Sequence, residues 1–404
     1  MAASGSCLRR SPWQDLPAEL LGLVLLRLPS HADRIRLPAV CCAWRSGARL
    51  QHPLPPLLPW LALPDGTFLS LPDGAVHSLA PVPDDVFYGF STGGALFLVH
   101  EGRTFSLMSP SSEATVTLPE PPFWFPTDKI SKVAVSNHLV AVLRDSRVSV
   151  YTRGGGAAWA STRCMEWAPP AYNSIADIAL FQGKLYVLTG EDELHVLDAG
   201  DQQITDVCCI RKIPTPSHDY YDLDNLWNND DYYHGTDMRV RRDYLVVAGN
   251  QLLRVELMIV TPAVYPPWRV DTGIDPQQTY RFHVFEAADL SCGHGRWRDV
   301  STLMGRALFV SQSCSESVPA AAGNQFGHAG VREDCIYFVN KDDSTMCWDW
   351  PRRRTTHDEN PFLDSGVYNM RDQTVSPLPL ETSGASTLRT CDGIWPPAWL
   401  FPKT

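Results

Sequence analysis

The chain has 404 residues, 44% of them hydrophobic, which is enough to bury a sizeable core and points to two domains or one large repeat fold. Its formal net charge of -11 excludes the strongly basic face that nucleic-acid binding requires. The eleven cysteines are odd in number, never spaced C-x-x-C, and twice adjacent, at Cys41-Cys42 and Cys208-Cys209. They read as reduced thiols of the cytoplasm or nucleus and not as a disulfide framework.

Residues 1–12 are expected to be disordered. The first structured feature is WQDLPAELLGLVLLRL, residues 13–28. Arg9 and Arg10 precede it as in a secretory leader, but Asp15, Pro17 and Glu19 interrupt the approach, Arg27 lies inside the run, and no small-residue cleavage site follows. A membrane span needs about 20 apolar residues, so neither a leader nor an anchor is expected. At helical spacing Leu20, Leu21, Val24, Leu25 and Leu28 share one face, while Leu23 and Leu26 occupy the other, with Asp15 and Pro17 around the first turn. A second helical stretch, SHADRIRLPAVCCAWRSGARL, has Ser30 and Asp33 as candidate caps and Ile35, Leu37, Val40, Cys41 and Trp44 as apolar positions. Pro38 should kink or end it. Some forty residues cannot enclose this much apolar surface, so a partner protein is expected to cover part of it, the alternative being that it packs on the remainder of the same chain.

These residues, W-x-x-LP-x-ELL, then Asp33-Arg34, then AVC-x-x-WR, resemble the F-box of plant F-box proteins over residues 13–50. The resemblance implies a three-helix module that docks on a Skp-type adaptor and through it on a cullin and a RING protein. The residues it assigns to adaptor contact are Leu16, Pro17, Leu20, Leu21, Val24, Leu25, Leu28, Ile35, Val40 and Trp44.

Residues 51–59 form a proline-rich linker, and from residue 60 to 404 the texture changes to short apolar runs between Gly, Asn and Asp turns. GGALFLVHEGRTFSLM, NHLVAVLRDSRVSVY, GKLYVLTGEDELHVLD, RDYLVVAGNQLLRVEL and EDCIYFVNKDDSTMCWDW each read as strand, polar turn, strand. Their first apolar residues, Ala95, Leu139, Leu185, Leu245 and Ile336, are 44, 46, 60 and 91 residues apart. Counting the last step as two repeats, with YRFHVFEAADLSCGHGRWRDV as a hairpin in the gap, gives a mainly β protein. The expectation is a β-propeller of six to eight blades, with seven as the working number. PWLALPDG, KVAVS, FQGKLYVL, YLVVAGNQLLRV, FHVFEAADL, RWRDVSTLMGRALFVSQSCSESVPA and the closing PPAWLFP resemble landmarks of the KIB-type propeller of plant F-box proteins.

No chemistry of the chain's own is expected. There is no phosphate loop, H-E-x-x-H or G-x-S-x-G, and Asp222 and Asp224 begin like an EF-hand but lack its third ligand and its glycine. Cys292 and His294 have no second pair at zinc spacing, so no metal or other cofactor is expected. The basic clusters at Arg239, Arg241, Arg242 and at Arg352, Arg353, Arg354 read as solvated loops. The remaining feature is HDYYDLDNLWNNDDYYHGTD, residues 218–237, which accounts for most of the 60-residue step. So many acids without aliphatic periodicity read plainly as a solvated, partly mobile loop, while Asp222, Asp224, Trp227, Asp230, Asp231, Tyr232 and Tyr233 combine aromatic anchors with carboxylates, as a loop that selects a protein target would. Together these readings imply a non-catalytic substrate receptor of an SCF-type ubiquitin ligase, with no nucleic-acid or membrane partner. The alternatives are a scaffold with a degenerate F-box and, from another class, a propeller hydrolase.

Overall fold

The structure, a computed structural model, describes residues 12–28, 31–51, 58–63, 65–71, 74–78, 85–92, 95–101, 104–108, 115–118, 130–144, 146–152, 163–169, 174–199, 204–211, 238–261, 279–290, 294–320, 331–339, 365–379 and 397–401. A 3-10 turn, Pro12–Asp15, leads into α1 (Ala18–Arg27). Pro17 stands at the N-cap, and Glu19 in the first turn complements the helix dipole. α2 (His31–Arg36) stops where Leu37–Ala39 tightens into a 3-10 turn, because Pro38 has no N–H to continue the α-helical ladder. α3 (Cys42–Arg49) starts afresh after an extended Cys41, whose thiol sulfur accepts from the Trp44 N–H at 3.4 Å. The single second helical stretch expected from the sequence is therefore two helices with a break between them.

Leu21 and Leu25, one turn apart on α1, are buried with Leu37 and Ala48, and Leu16, Leu28 and Trp44 pack against them. Gly47 lets α1 and α3 come this close, since a Cβ there would lie 2.7 Å from Leu21 Cδ2. Gln51 Nε2 donates to the Ala18 carbonyl, and the Arg34 guanidinium donates to the Leu28 carbonyl, so both ends of α1 are tied to the rest of the module. Among the described residues no helix is long and apolar enough to cross a membrane.

The remaining described elements are strands in six sheets. The first holds β1 (Trp60–Ala62), β2 (Phe68–Leu69) and β3 (Val76–His77). The second is β4 (Val86–Ser91), β5 (Leu96–His100), β6 (Phe105–Met108) and β7 (Thr115–Leu118). The third is β8 (Ile130–Val135), β9 (Leu139–Arg144), β10 (Arg147–Thr152) and β11 (Arg163–Trp167). The fourth is β12 (Ile175–Phe181), β13 (Lys184–Thr189), β14 (Leu194–Ala199) and β15 (Ile204–Ile210). The fifth is β16 (Met238–Ala248), β17 (Gln251–Thr261), β18 (Thr279–Ala288) and β19 (Arg296–Asp299). The sixth has β20 (Arg306–Ser311), β21 (Ser315–Pro319), β22 (Cys335–Val339), β23 (Gly366–Asn369) and β24 (Thr374–Ser376), and β25 (Ala398–Leu400) returns to pair with β1.

Second to fifth sheets are antiparallel meanders in chain order, the arrangement that short polar turns between alternating apolar runs specify. The innermost strands β4, β8, β12, β16 and β21 contact one another in turn, and β25 meets both β20 of the sixth sheet and β4, closing the ring. Six apolar clusters fill the six gaps between neighbouring sheets. Each sheet thus buries both faces, which explains the nearly continuous apolar runs Leu96–Val99, Val140–Leu143 and Leu185–Leu188.

The fold is a six-bladed β-propeller, which corrects the working number of seven. YRFHVFEAADL and RWRDV are not a blade of their own. They form β18 and β19, the outer strands of the sheet that β16 and β17 begin. The long step from Leu245 to Ile336 has two causes: strands of ten and eleven residues in the fifth sheet, and a β20–β21 hairpin inserted before β22. That hairpin makes the sixth sheet five-stranded, and β22 lies parallel to β20, a pairing absent from the other described sheets.

Candidate functional site

Two surfaces follow from the fold: the helical module and the loops between blades. On α1, residues at positions i, i+3 and i+4 cover one another's neighbourhood, so Leu20, Leu23 and Val24 form one stripe. All three are exposed, Leu20 at 48% of its surface, and the stripe lies beside the buried Leu21 and Leu25. Val40, at the break after the 3-10 turn, is 62% exposed, and Trp13 is exposed as well. Trp13 is held in place from its backbone, where its carbonyl accepts from the Trp44 indole N–H at 2.7 Å.

Of the ten residues assigned to adaptor contact, Pro17, Leu20, Val24 and Val40 are exposed. Leu16, Leu28 and Trp44 are half-buried against the module core, and Leu21 and Leu25 are its interior. Ile35 lies in α2, its side chain outside the described residues. Sequence reasoning omitted Leu23 and Trp13 from the contact set although both are exposed and apolar. The signal was present: a helix apolar on both faces in so short a module must leave one face uncovered.

The loop holding Asp222, Asp224, Trp227, Asp230, Asp231, Tyr232 and Tyr233 lies outside the described residues. Its anchors are β15 of the fourth sheet and β16 of the fifth.

Beneath the loops, the innermost strands carry buried charge that fixes their mutual positions. Lys132 on β8 donates to Asp177 on β12 at 2.7 Å, and the same carboxylate accepts the backbone N–H of Leu245 on β16 at 2.6 Å and that of Ile178 at 2.7 Å. One side chain thereby ties three consecutive blades. Burial pushes the Asp177 carboxyl up, and the Lys132 ammonium with the two N–H donors pulls it back. A second network joins Arg254 to Asp243, Asp192 and Glu256 across the fourth and fifth blades, with Arg241 bonded to Asp192 and Asp243. Burial pushes Asp243 up to about 8; Arg241 opposes this, while the negative charges of Glu256 and Asp192 add to it. In both networks the charges are spent on one another, and in the first on backbone N–H groups as well, which is how a scaffold uses buried charge.

The six-bladed ring and its inter-blade networks define the class, a β-propeller. The chain belongs to the KIB1-4 beta-propeller family, whose profile matches residues 68–369. No curated protein matches it. Among solved structures, the N-terminal domain of Nup159 aligns at 8% identity and TM-score 0.25, covering 68% of this chain and 64% of that one. Apo AztD from Citrobacter koseri aligns at 16% identity and TM-score 0.27, covering 45% of this chain and 46% of that one. The Myceliophteria thermophila Cps50 (Swd1) propeller aligns at 12% and 0.29, covering 59% and 80%. Likeness at these scores carries no argument about this chain. The S. cerevisiae dbp5 complex with nup159 and gle1 contains a chain of which the present one spans 64%.

Proposed function

We propose that this chain is the non-catalytic substrate receptor of an SCF-type ubiquitin ligase. In this reading the helical module is an F-box that docks on a Skp-type adaptor, and the propeller holds a target protein in its loops, in the cytoplasm or nucleus. The adaptor carries the cullin and the RING protein, so the chemistry takes place elsewhere and this chain supplies proximity and orientation. The observation that carries the reading is the uncovered Leu20, Leu23 and Val24 stripe in a module standing before a protein-interaction propeller. Target contact is assigned to the acidic aromatic loop of residues 218–237. Its composition matches that of interface hot spots steered by charge.

The test is co-purification of the full chain with a Skp-type adaptor. Burying one leucine contributes about 1.5 to 3 kcal/mol, and a carboxylate in its place adds a desolvation cost. Leu20→Asp should therefore weaken adaptor binding by about a hundredfold or more. If the wild-type chain binds no adaptor, the module is a scaffold element and the ligase reading fails.

A further inference from the structure

The outer strands of the fourth blade bring together Glu193, His195 and Cys208, whose ligand-type atoms all lie within 4.8 Å of one another. His195 on β14 stands directly opposite Cys208 on β15. Their pairing ends a regular ladder that begins with Ala199 opposite Ile204; just beyond it a bulge leaves Cys209 as the extra residue and sets Leu194 opposite Ile210. The bulge also separates the adjacent cysteines by role, since Cys209 joins the apolar cluster toward the fifth blade.

His195 is 4% exposed, and neither of its ring nitrogens has a hydrogen-bond partner. A buried imidazole left in this state is costly and needs an explanation. Its surroundings supply one. Nε2 lies 3.7 Å from Glu193 Oε2, and Nδ1 lies 3.5 Å from Asp206 Oδ2. Two ligands at about 2.0 to 2.1 Å from a shared tetrahedral ion stand roughly 3.4 Å apart, so Nε2 and Oε2 are a small adjustment from that spacing. A carboxylate on the other ring nitrogen is the usual support of a metal-bound histidine, because it fixes the tautomer.

The donors are also held in place. The Glu193 N–H donates to Thr189 Oγ1 at 3.2 Å, and the Thr189 N–H donates to the Glu193 carbonyl at 2.9 Å. In the same turn the Asp192 carbonyl accepts from the Trp297 indole at 2.9 Å, and the Asp192 carboxylate is bonded to Arg241 and Arg254. Trp167 of the third blade covers the imidazole, with ring centroids 5.5 Å apart.

We propose that Glu193, His195 and Cys208 bind one Zn2+ ion, His195 through Nε2, with Asp206 accepting from Nδ1–H. Thiolate, imidazole and carboxylate form a borderline-soft set that suits zinc and not magnesium or calcium. Burial and the charge of Glu193 push the Cys208 thiol up, with Arg211 opposing, so binding releases the thiol proton to solvent. Three protein ligands leave a fourth position for water, and the ion staples β14 to β15 at the outer rim of the ring.

The full chain, stripped with a chelator and titrated with zinc alone against a chromophoric competitor, should bind one ion per chain. Cobalt in its place should give a thiolate-to-metal charge-transfer band. Cys208→Ser and His195→Gln should each weaken binding by about a hundredfold or more, Asp206→Asn by about 10- to 100-fold, and Cys42→Ser not at all. No stoichiometric zinc, a cobalt spectrum without the thiolate band, or equal affinity in Cys208→Ser and His195→Gln would overturn the proposal. If those two variants misfold by circular dichroism, the wild-type cobalt spectrum and the Asp206→Asn affinity decide the matter.

Discussion

The indole N–H of Trp399 donates to the carbonyl of Val310 at 3.1 Å, so the last described strand is bonded to the sixth blade while it pairs with the first. Trp399 is fully buried and meets Phe309 edge-on, with centroids 5.2 Å apart. This strand replaces an exposed edge on β1 with a ladder and makes the ring continuous. Trp399→Ala should cost about 3 to 5 kcal/mol and lower the melting temperature measured by calorimetry. Ending the chain at residue 390 should expose β1 and cause aggregation visible by light scattering; an unchanged melt for either variant would show that closure lies elsewhere.

Lys132, Asp177 and Leu245 join three blades through one buried carboxylate. Removing one partner of a buried pair leaves an uncompensated charge, at about 3 to 5 kcal/mol. Lys132→Met keeps the volume and should lose that much in denaturant unfolding, more than Arg147→Met, whose cation is exposed beside Glu166. Equal losses would mean that Asp177 is satisfied by its two backbone donors alone.

Much of the ring was legible because each blade contains a hairpin with apolar runs on either side of a turn. Gln182-Gly183 and Gly249 take the positive φ such turns need. The blade count was not legible. β2 and β3 have two residues each, too few for any periodicity, and β18 and β19 read as a separate hairpin until their pairing with β17 is known. The networks were hidden for a related reason. Lys132 and Asp177 both follow register shifts in their strands, and a bulge belongs to a pair of strands and not to one segment. In the helical module the apolar positions were plain, but which of them turn inward was not: Leu20 and Leu21 are neighbours with opposite fates.

That difference separates folding from docking. Leu21 is 1% exposed in the module core, whereas Leu20 lies on the uncovered stripe. Leu21→Ala should destabilise the module by about 2 to 5 kcal/mol. Leu20→Ala should change its stability by no more than about 0.5 kcal/mol. Hydrogen exchange of the α1 amides in the full chain reports this difference. Equal protection in both variants would contradict the packing described.

Asp334 joins three segments of the sixth blade: its carboxylate accepts from the Leu303 N–H at 2.6 Å, the Thr302 hydroxyl at 2.9 Å and Arg371 Nε at 2.8 Å. Burial by itself would push the carboxyl up, but these donors outweigh it and hold the group below its usual 3.8. A depressed folded value gives stability that is fully present above the unfolded value and is lost as the pH falls through the folded one. Asp334→Asn keeps the positive φ of 54 accessible and should cost about 1 to 3 kcal/mol at neutral pH. The gap between variant and wild type should close as the pH falls below about 4. A gap independent of pH would mean that the carboxylate charge contributes nothing.

The acidic loop of residues 218–237 connects β15 to β16, which belong to different sheets, and each sheet completes its ladders without it. Replacing residues 219–233 with a Gly/Ser linker should therefore leave the melting temperature within a degree or two, since a longer or shorter surface connection changes closure entropy by only about 0.6 kcal/mol per doubling. Adaptor binding should be unchanged, because the α1 stripe is untouched. If the loop selects the target as proposed, ubiquitination of that target in a reconstituted ligase should disappear. In the wild type, target association should slow as salt is raised, because exposed carboxylates steer a basic surface only within the screening length. Target turnover that survives the replacement, or an association rate indifferent to salt, would move recognition from this loop to other parts of the propeller.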